Sequence, residues 1–446
     1  MTTRSLHPLM KIALVSLLIP VQFYVGSLLL TPSRIFFLIV TPYLFIQLLS
    51  GAYGRLRLSD ILTFLFFIWF TISMIVNNFN QALTFVGLHA TLLFGGYLVG
   101  RASIRSLADF QAFVRFYVLT IVLMLPFAVY ESITSQFVIA EFIRSLGLQS
   151  FADVNYERRL GLDRAQVVFT HPIHFGLYCS LGFALYFVTF RRSISLLRRA
   201  LVSGLVAFTA FFSVSSGAVL ALVIQMALIG YDHMFRNMKN KWLRLIGCGV
   251  ALYVILDLLS DRPAYLAIIT RVSLNVGTAY YRQNLLEYGL AQIARTPIFG
   301  VGYNRWELPH WMSDSIDNFW LMTALVYGVP AFVFFAGLFL NIMFRAARHA
   351  RPGGQLHDAR VAYNIMLVSI SFTLATVAIW GELLSVAFMI FGASGFFFDV
   401  ADEETAKAAP PAPARRRAVI GDMSPESEAA AREGGAPTAA KKRTVL

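Results

Sequence analysis

ILTFLFFIWFTISMIV, residues 61–76, decides the fold class of this chain because it contains no charged residue. Extended by its neighbours, the run is about 20 residues long, which is the length that a helix needs to cross the hydrocarbon core of a bilayer. A barrel strand would instead alternate apolar and polar residues over about 10 positions. In lipid, backbone N–H and C=O groups must be satisfied internally, so this continuous run favours a membrane-spanning α-helix.

Similar apolar runs recur along the whole chain. Of its 446 residues, 57% are hydrophobic and only 14% are charged, and the mean hydropathy is +0.66. Soluble domains are about 25% charged, so the sequence predicts an all-α polytopic integral membrane protein with about 12 spans. The first run lacks a convincing cleavage site and is interpreted as a retained helix rather than a signal peptide. We predict spans at residues 10–30, 34–50, 60–78, 81–100, 110–130, 173–190, 198–214, 216–232, 244–260, 317–343, 361–380 and 382–399.

The net charge of +13 allows two interpretations, nucleic-acid binding or the positive-inside rule. With a cytoplasmic N-terminus, every predicted inner connection is basic, whereas the short outer turns near Asn77 and at residues 213–217 carry no Lys or Arg. This pattern explains the charge without nucleic acid. The inner connections contain Arg55, Arg57, Arg101, Arg105, Arg191, Arg192, Arg198, Arg199, Arg236, Lys239, Lys241, Arg244, Arg345, Arg348, Arg351 and Arg360.

Two domains follow from this topology. Residues 1–400 form the transmembrane catalytic domain, with large outer loops at about 131–172 and 261–316, and residues 401–446 form a disordered cytoplasmic tail rich in Ala, Pro, Glu and Arg. Long loops without regular structure are uncommon unless they are functional. The functional site is therefore expected in these two loops.

The outer loops carry arginine but no lysine. The predicted outer segments contain Arg34, Arg144, Arg158, Arg159, Arg164, Arg262, Arg271, Arg282, Arg295 and Arg305. A headgroup anchor could use either residue, but the guanidinium fork grips phosphate oxygens with two bonds. The asymmetry favours recognition of a phosphate or pyrophosphate, with an interfacial anchor as the alternative for the cluster at residues 158–164.

The second loop also predicts a short amphipathic helix. Leu286, Leu290 and Ile293 have helical spacing, Thr278 is a possible N-cap, and Thr296 before proline should end the helix. The following glycines, Gly300 and Gly302, indicate a turn and not a dinucleotide fingerprint, since no strand precedes them.

Three further residues are candidates for chemistry or for local structure. His171 could exchange a proton if its pKa is unshifted, although a lone His at the start of a helix is usually structural. Asp317 could be an N-cap or a general base beside the arginines. His171 and His174 are three residues apart without a third or fourth ligand, so no metal and no cofactor are expected. Cys179 and Cys248 lie inside apolar runs and imply no disulfide framework.

Three stretches resemble the O-antigen ligase and Wzy-type polysaccharide polymerase superfamily. They are GLDRAQVVFTHPIHFG (residues 161–176), SVSSGA (residues 213–218) and TAYYRQNLLEYGLAQIARTPIFGVGYNRWELPHWMSDSIDNFWL (residues 278–321). The resemblance implies the membrane-embedded, GT-C-like glycosyltransferase architecture with large periplasmic loops. It also implies metal-independent transfer of a glycan from undecaprenyl pyrophosphate to an acceptor hydroxyl.

By the same resemblance, Arg164 and Arg282 match the arginines that hold the donor pyrophosphate, and Arg271 is a third candidate. Ligases have a His–Asn pair where this chain has Asp317 and Asn318, and the sequence SIDNFWL is similar to exopolysaccharide polymerases. The predicted catalytic residues are Asp317, Arg282, Arg164 and His171, and the predicted substrate-binding residues are Arg164, Arg271, Arg282 and Asn318.

The expected function is polymerisation of lipid-linked repeat units at the periplasmic face of the bacterial inner membrane, with both termini cytoplasmic. The expected partners are the lipid-linked oligosaccharide, the bilayer, and a chain-length regulator and flippase of the same pathway. A ligase, which moves finished glycan onto lipid A or another acceptor, is the nearest alternative. A polysaccharide or lipid transporter is an alternative of another class, disfavoured by the scarcity of ionisable residues inside the spans, and a non-catalytic assembly partner is a third.

Overall fold

A computed structural model describes residues 5–26, 28–151, 154, 156–259, 276–348 and 353–399 of the chain. Within these residues it contains fifteen helices and one two-stranded hairpin. The helices are α1 (Pro8–Leu17), α2 (Pro32–Leu49), α3 (Leu58–Asn77), α4 (Phe79–Ser103), α5 (Leu107–Thr134), α6 (Val138–Ser145), α7 (Pro172–Thr189), α8 (Leu196–Phe211), α9 (Ser216–Met234), α10 (Lys241–Leu259), α11 (Val276–Arg295), α12 (Phe319–Tyr327), α13 (Val329–Arg348), α14 (Gln355–Leu374) and α15 (Gly381–Ala393). The predicted tail at 401–446 and Arg271 lie outside the described residues.

The described residues include nine helices that are long and apolar enough to cross a membrane. The chain is therefore a mostly helical, polytopic membrane protein. The uncharged run at residues 61–76 lies in α3, and the predicted tight turn at residues 213–217 separates α8 from α9. The predicted total of about 12 spans is not confirmed, and two of the predicted spans have a different structure.

The first predicted span, residues 10–30, is not a single helix. Helix α1 ends at Leu17, Pro20 follows, and β1 (Phe23–Val25) pairs antiparallel with β2 (Leu28–Leu30). Proline lacks the N–H that a continued helix would need, and Gly26 takes the left-handed φ of 63° in the turn. This short hairpin takes the place of the second half of the first predicted span, while the described chain stays mostly helical.

The tenth predicted span, residues 317–343, is broken at Gly328. Gly328 has a φ of 88° and separates α12 from α13. The loop after α11 packs into the break: the N–H of Val301 donates to Leu325 O at 2.9 Å and that of Gly302 to Val326 O at 2.9 Å. These bonds satisfy carbonyls that the end of a helix leaves unpaired. The apolar sequence hides the break because α12 and α13 are both hydrophobic.

Helices α4 and α15 pack through glycines. A Cβ atom at Gly100 would lie 2.0 Å from Met389 O, and one at Gly392 would lie 2.0 Å from Tyr97 O. Membrane helices gain stability from such close backbone approach because hydrophobic exclusion gives no advantage in lipid. Helix α15 of this pair starts directly after Trp380.

The basic connections gather at one end of the bundle. Asp232, at the end of α9, makes ion pairs with Arg191 at 2.8 Å and Lys241 at 2.7 Å, and Asp358 pairs with Arg192 at 3.0 Å. Helix α7 leads from His171 to this end, and α9 leads to it from the turn at residues 213–217. The connections that contain Arg191, Arg192 and Lys241 thus lie at the end opposite to His171 and the turn at residues 213–217.

Candidate functional site

The basic cluster of the first loop is a tight hairpin whose arginines have different partners. Arg159 and Leu162 exchange backbone hydrogen bonds of 3.1 and 3.0 Å around Leu160 and Gly161, which have φ angles of 55° and 76°. Arg158 donates to both carboxylate oxygens of Asp163, at 3.0 and 2.9 Å. These bonds, with the hydroxyl of Ser135, hold the pKa of Asp163 below its usual value. Arg158 is therefore engaged by an internal anion.

Arg164 is partly engaged. Its Nε donates to Ser213 O at 3.4 Å, and its guanidinium lies 5.5 Å from the centre of the Tyr156 ring. Its Nη2 is buried and has no hydrogen-bond partner among the described residues. Burial, and then the charge of Arg159, lower the pKa of Arg164 to about 10. The group stays charged near neutral pH and has donor capacity that the surrounding protein does not use.

Arg159 shares the turn that holds Arg164. Its Nη1 donates to Val214 O at 3.5 Å, one residue after the carbonyl that accepts from Arg164. Arg159 belongs to the basic cluster of the first loop but was not a predicted site residue. In the sequence, nothing distinguishes Arg159 from its neighbour Arg158. Only the fold shows that Asp163 pairs with Arg158 and not with Arg159.

Arg282 enters the site from the second loop. It lies on α11, is 9% exposed, and donates through Nη2 to Thr376 O at 3.1 Å. Burial lowers its pKa most, the carboxylate of Asp317 opposes this shift, and the charge of Arg159 adds to it. Arg159 is thus an electrostatic neighbour of both Arg164 and Arg282. The structure brings the two predicted arginines of separate loops around a third one.

The packed face of α11 includes two of the three predicted residues. Leu286 and Ile293 pack against the buried cluster of Leu285, Met312 and Leu321, whereas Leu290 is 47% exposed. The helix ends at Arg295, as Thr296 and Pro297 predicted, but it begins at Val276, so Thr278 lies within it and is not its N-cap. The apolar face that contacts α12 orients Arg282 toward Thr376.

Asp317 was a candidate for two roles, helix N-cap and general base, and the structure gives the first of these to Asn318. Asn318, not Asp317, is the N-cap of α12, and its Oδ1 accepts from the N–H of Leu321 at 3.0 Å. Asp317 accepts from the Ser315 hydroxyl at 3.0 Å and is partly exposed. The interpretation of Asp317 as the N-cap is wrong. Its carboxylate instead interacts electrostatically with the guanidinium group of Arg282.

His171 has a clear structural role. It is the N-cap of α7, and its Nδ1 accepts from the N–H of Ile173 at 3.0 Å. Burial, and then the charge of Arg164, lower its pKa to about 4. Proton exchange near neutral pH was predicted on the condition of an unshifted pKa, and this condition is not met, because burial and the nearby cation both disfavour the charged ring. Its catalytic role stays a prediction.

An aromatic group beside Arg164 was not predicted. The ring of His171 lies 4.6 Å from that of Tyr156 and 5.8 Å from that of Trp380, and Trp380 lies 4.0 Å from His174. Trp380 is 44% exposed and belongs to the connection between α14 and α15 that also contains Thr376. The sequence signal was present as a tryptophan in a short connection, but nothing in the sequence linked it to the first loop.

No group of three or more His, Cys, Asp or Glu side chains that could hold a metal ion is found within the part of the chain that the structure describes. The polar groups of the site are guanidinium, carboxylate, imidazole and backbone carbonyl groups. Guanidinium groups from two loops suit an anionic ligand, and the partly exposed carboxylate of Asp317 suits a hydroxyl group.

Comparison with known proteins gives one match. A family model described as O-antigen ligase matches residues 201–336. This segment includes the turn at residues 213–217, Arg282, Asp317 and Asn318, whereas Arg159, Arg164 and His171 precede it. No curated protein matches the chain. The family match confirms the superfamily that the three sequence stretches predicted.

Proposed function

Because its residues 201–336 form a domain of the O-antigen ligase and Wzy-type polymerase superfamily, we propose that this membrane protein is a polysaccharide polymerase. It would join lipid-linked oligosaccharide repeat units into an exopolysaccharide or O-antigen-like polymer. The superfamily accounts for a glycosyltransferase-like activity of the ligase or polymerase type. The donor, the acceptor and the side of the membrane are parts of this proposal.

The observation that carries the proposal is the convergence of Arg159, Arg164 and Arg282. Three like charges brought together repel one another, so the arrangement is costly unless an anion occupies the space between them. A pyrophosphate has several oxygens that planar guanidinium groups bind in a bidentate manner. The buried Nη2 of Arg164 supplies a donor that the described protein leaves without a partner. Arg271, outside the described residues, is a further candidate for this group.

The proposed reaction is a substitution at the anomeric carbon of the donor sugar. The acceptor hydroxyl oxygen forms the new glycosidic bond, and the bond from the anomeric carbon to the pyrophosphate oxygen breaks. The electron pair of that bond leaves with undecaprenyl pyrophosphate, where the arginines stabilise the negative charge that develops. Asp317 accepts the proton of the hydroxyl as a general base. Neither step requires a metal.

Asp317 also favours a polymerase over a ligase. Ligases of this superfamily resemble one another in having a His–Asn pair where this chain has Asp317 and Asn318. The structure gives Asn318 the N-cap of α12, so this residue can orient the helix start for either activity. Asp317 is the residue that differs from the ligase pair, and the sequence SIDNFWL that contains it is similar to polymerases.

The proposed setting is the bacterial inner membrane, with the site on the periplasmic side and both termini in the cytoplasm. The basic connections lie at the opposite end of the bundle, as the positive-inside rule requires for this orientation. A flippase that delivers the lipid-linked units and a regulator of chain length are the partners that such an activity needs. The bilayer supplies the donor and holds the product.

The experiment compares arginine variants in a strain that lacks the chromosomal gene. Arg164→Ala and Arg282→Ala are expected to lower the polymer yield by about 10²–10³, the typical effect of removing one donor that stabilises developing charge. Arg282→Lys should recover only part of the loss because lysine keeps the charge but not the fork.

Arg295→Ala is the matched control, because Arg295 lies on the same helix but pairs with the exposed Glu307. It should leave the polymer unchanged. All variants need equal amounts of protein in the membrane fraction. Normal yield and chain length with Arg282→Ala would contradict the proposed role of the arginines.

A further inference from the structure

Glu131 lies in the last turn of α5 and contacts the segment that follows Arg164. It is 4% exposed, and the last turn of a helix carries the negative end of the helix dipole. A buried carboxylate at this position is unfavourable unless strong donors hold it. Its presence therefore requires an explanation in the contacts that it makes.

The two carboxylate oxygens of Glu131 accept hydrogen bonds from two successive backbone N–H groups. Oε1 accepts from Gln166 at 2.8 Å and Oε2 from Val167 at 2.9 Å. Val167 has a φ of 55°, a left-handed conformation that is a genuine outlier for a β-branched residue. The carboxylate thus holds a strained turn that begins two residues after Arg164.

Separate contacts hold the other side of this segment. The Ser132 hydroxyl donates to Asp163 O at 2.7 Å, and the backbone carbonyl of Ser132 accepts from the N–H of Asp163 at 3.0 Å. The N–H of Ala165 donates to Phe212 O at 2.9 Å. The backbone is therefore fixed both before and after Arg164. Glu131 and Arg164 also line the same small pocket, together with Tyr156.

We propose that Glu131 is a positioning residue, which orients the Arg164 guanidinium for its anionic ligand by holding the backbone at residues 166–167. The ligand class is the pyrophosphate of the proposed function, on which this inference rests. Without the carboxylate, Val167 returns toward an ordinary φ, and the turn that determines the direction of Arg164 changes. A displacement of about 1 Å is enough to reduce a rate about 10²-fold.

Glu131→Gln tests the inference because it preserves the shape of the side chain. The amide has one acceptor oxygen and a nitrogen that donates, so one of the two N–H groups loses its bond. The Ser132 bonds remain and keep the loop folded. Glu141→Gln is the matched control, since Glu141 is exposed on the neighbouring helix α6 of the same loop.

The main measurement is a double-mutant comparison with purified protein and the lipid-linked glycan pool extracted from a deletion strain. We expect kcat to fall about 10²-fold for Glu131→Gln and about 10²–10³-fold for Arg164→Ala. If Glu131 acts through Arg164, the double variant stays within about threefold of Arg164→Ala alone, since coupled residues are not additive. Independent effects that multiply to about 10⁴–10⁵ would overturn the inference.

A rescue variant gives a readout that a general loss of stability cannot produce. Glycine adopts a positive φ readily, so Val167→Gly alone should keep its activity and should restore about tenfold of the rate in Glu131→Gln. The double variant Glu131→Gln with Val167→Gly also allows the test if Glu131→Gln alone accumulates poorly. Glycine at position 167 removes the backbone strain that the Glu131 carboxylate holds in the wild type. Absence of rescue in a folded double variant would contradict the inference.

Binding of inorganic pyrophosphate separates this inference from the proposed function. Pyrophosphate should raise the Tm of the wild type and of Glu141→Gln, and raise it less for Arg164→Ala and Glu131→Gln alike. A reduced shift for Arg164→Ala with a full shift for Glu131→Gln would refute only the positioning role. Full shifts and full rates for all variants would refute the proposed function itself.

Discussion

The arginines of the basic cluster at residues 158–164 have different roles because their nearest partners differ. Arg158 is neutralised by Asp163, whereas Arg159 and Arg164, among the residues that the structure describes, donate to carbonyls of the turn between α8 and α9. A carbonyl offers a partial charge, so these two guanidinium groups keep most of their attraction for an anion. The difference follows from the tight turn at Leu160 and Gly161, which directs neighbouring side chains apart.

Replacing the proposed base should affect catalysis without unfolding the protein. Asp317→Asn removes the proton acceptor and should lower the polymerisation rate by about 10²–10⁴, while Asn318 continues to cap α12. Asp314→Asn is the control, because Asp314 is exposed in the same loop. The rate is measured on extracted lipid-linked glycan, and an unchanged rate for Asp317→Asn would exclude it as the general base.

His171 should behave as a neutral cap. Its folded pKa of about 4 lies below the usual value of about 6.5 for an unfolded chain. Between these values the unfolded state binds the proton and the folded state does not. The contribution of the neutral His171 ring to the free energy of unfolding is therefore fully present above pH 6.5 and is lost as the pH falls toward 4.

The measurement is the Tm of the wild type, His171→Asn and His171→Ala between pH 7 and pH 5. His171→Asn keeps an acceptor for the cap and should lose less Tm on acidification than the wild type. His171→Ala should be about 1 kcal/mol less stable than the wild type at pH 7, and this difference should shrink toward pH 5 because only the wild type loses stability through His171. A rate of the wild type that titrates near pH 6.5 and becomes flat in His171→Asn would show catalysis by this ring instead.

The site residues could be predicted only where each carries its own local signal. Arg282 lies on a helix that ends before a proline, and Arg164 precedes the helix start at His171, so both could be recognised from the sequence. Trp380 and Thr376 could not, because their role depends on the connection between α14 and α15 reaching the first loop. Glu131 was hidden inside an apolar helix, where its partners are backbone groups that have no sequence signal.

Among the elements, the break between α12 and α13 is held by the loop that follows α11. A Cβ atom at Gly300 would lie 2.5 Å from both Leu325 O and Val326 O. Val301 and Gly302 supply the hydrogen bonds that close the end of α12. The segment at residues 299–302 is thus a backbone contact between the loop after α11 and the broken helix.

Gly300→Ala should therefore destabilise this contact. The left-handed φ of 65° costs alanine about 1–2 kcal/mol, and overpacking against the two carbonyls adds about 1–3 kcal/mol. Gly147→Ala is the matched control, because Gly147 has a φ of 76° and no atom within 4 Å of the added Cβ. Thermal unfolding should show a larger drop for Gly300→Ala, and equal drops would mean that the loop packs differently.

The helices themselves were predictable because a hydrophobic run of about 20 residues has one stable solution in lipid. Helices α2 to α5, α7, α9 and α10 match their predicted spans closely. The first and tenth runs were misread for the same reason: composition records hydrophobicity, whereas a break needs one residue, Pro20 or Gly328, and a partner elsewhere in the chain.

For the molecule as a whole, the two ends of the bundle differ in charge and should face different sides of the membrane. Leu160 is 81% exposed beside the candidate site and Met234 is 75% exposed near the basic end. In a Cys248→Ser background, a membrane-impermeant maleimide added to spheroplasts should label Leu160→Cys and not Met234→Cys. Labelling in the reverse order would invert the proposed orientation.

The most direct test of the central claim is mass spectrometry of the lipid-linked glycans extracted from a strain without this protein. A polymerase predicts that single repeat units accumulate on the lipid carrier and that long polymer disappears. Complementation with the wild type or with Arg295→Ala should restore the polymer, and complementation with Arg282→Ala should not. Accumulation of long lipid-linked polymer would indicate a ligase instead, and an unchanged pool would contradict both activities.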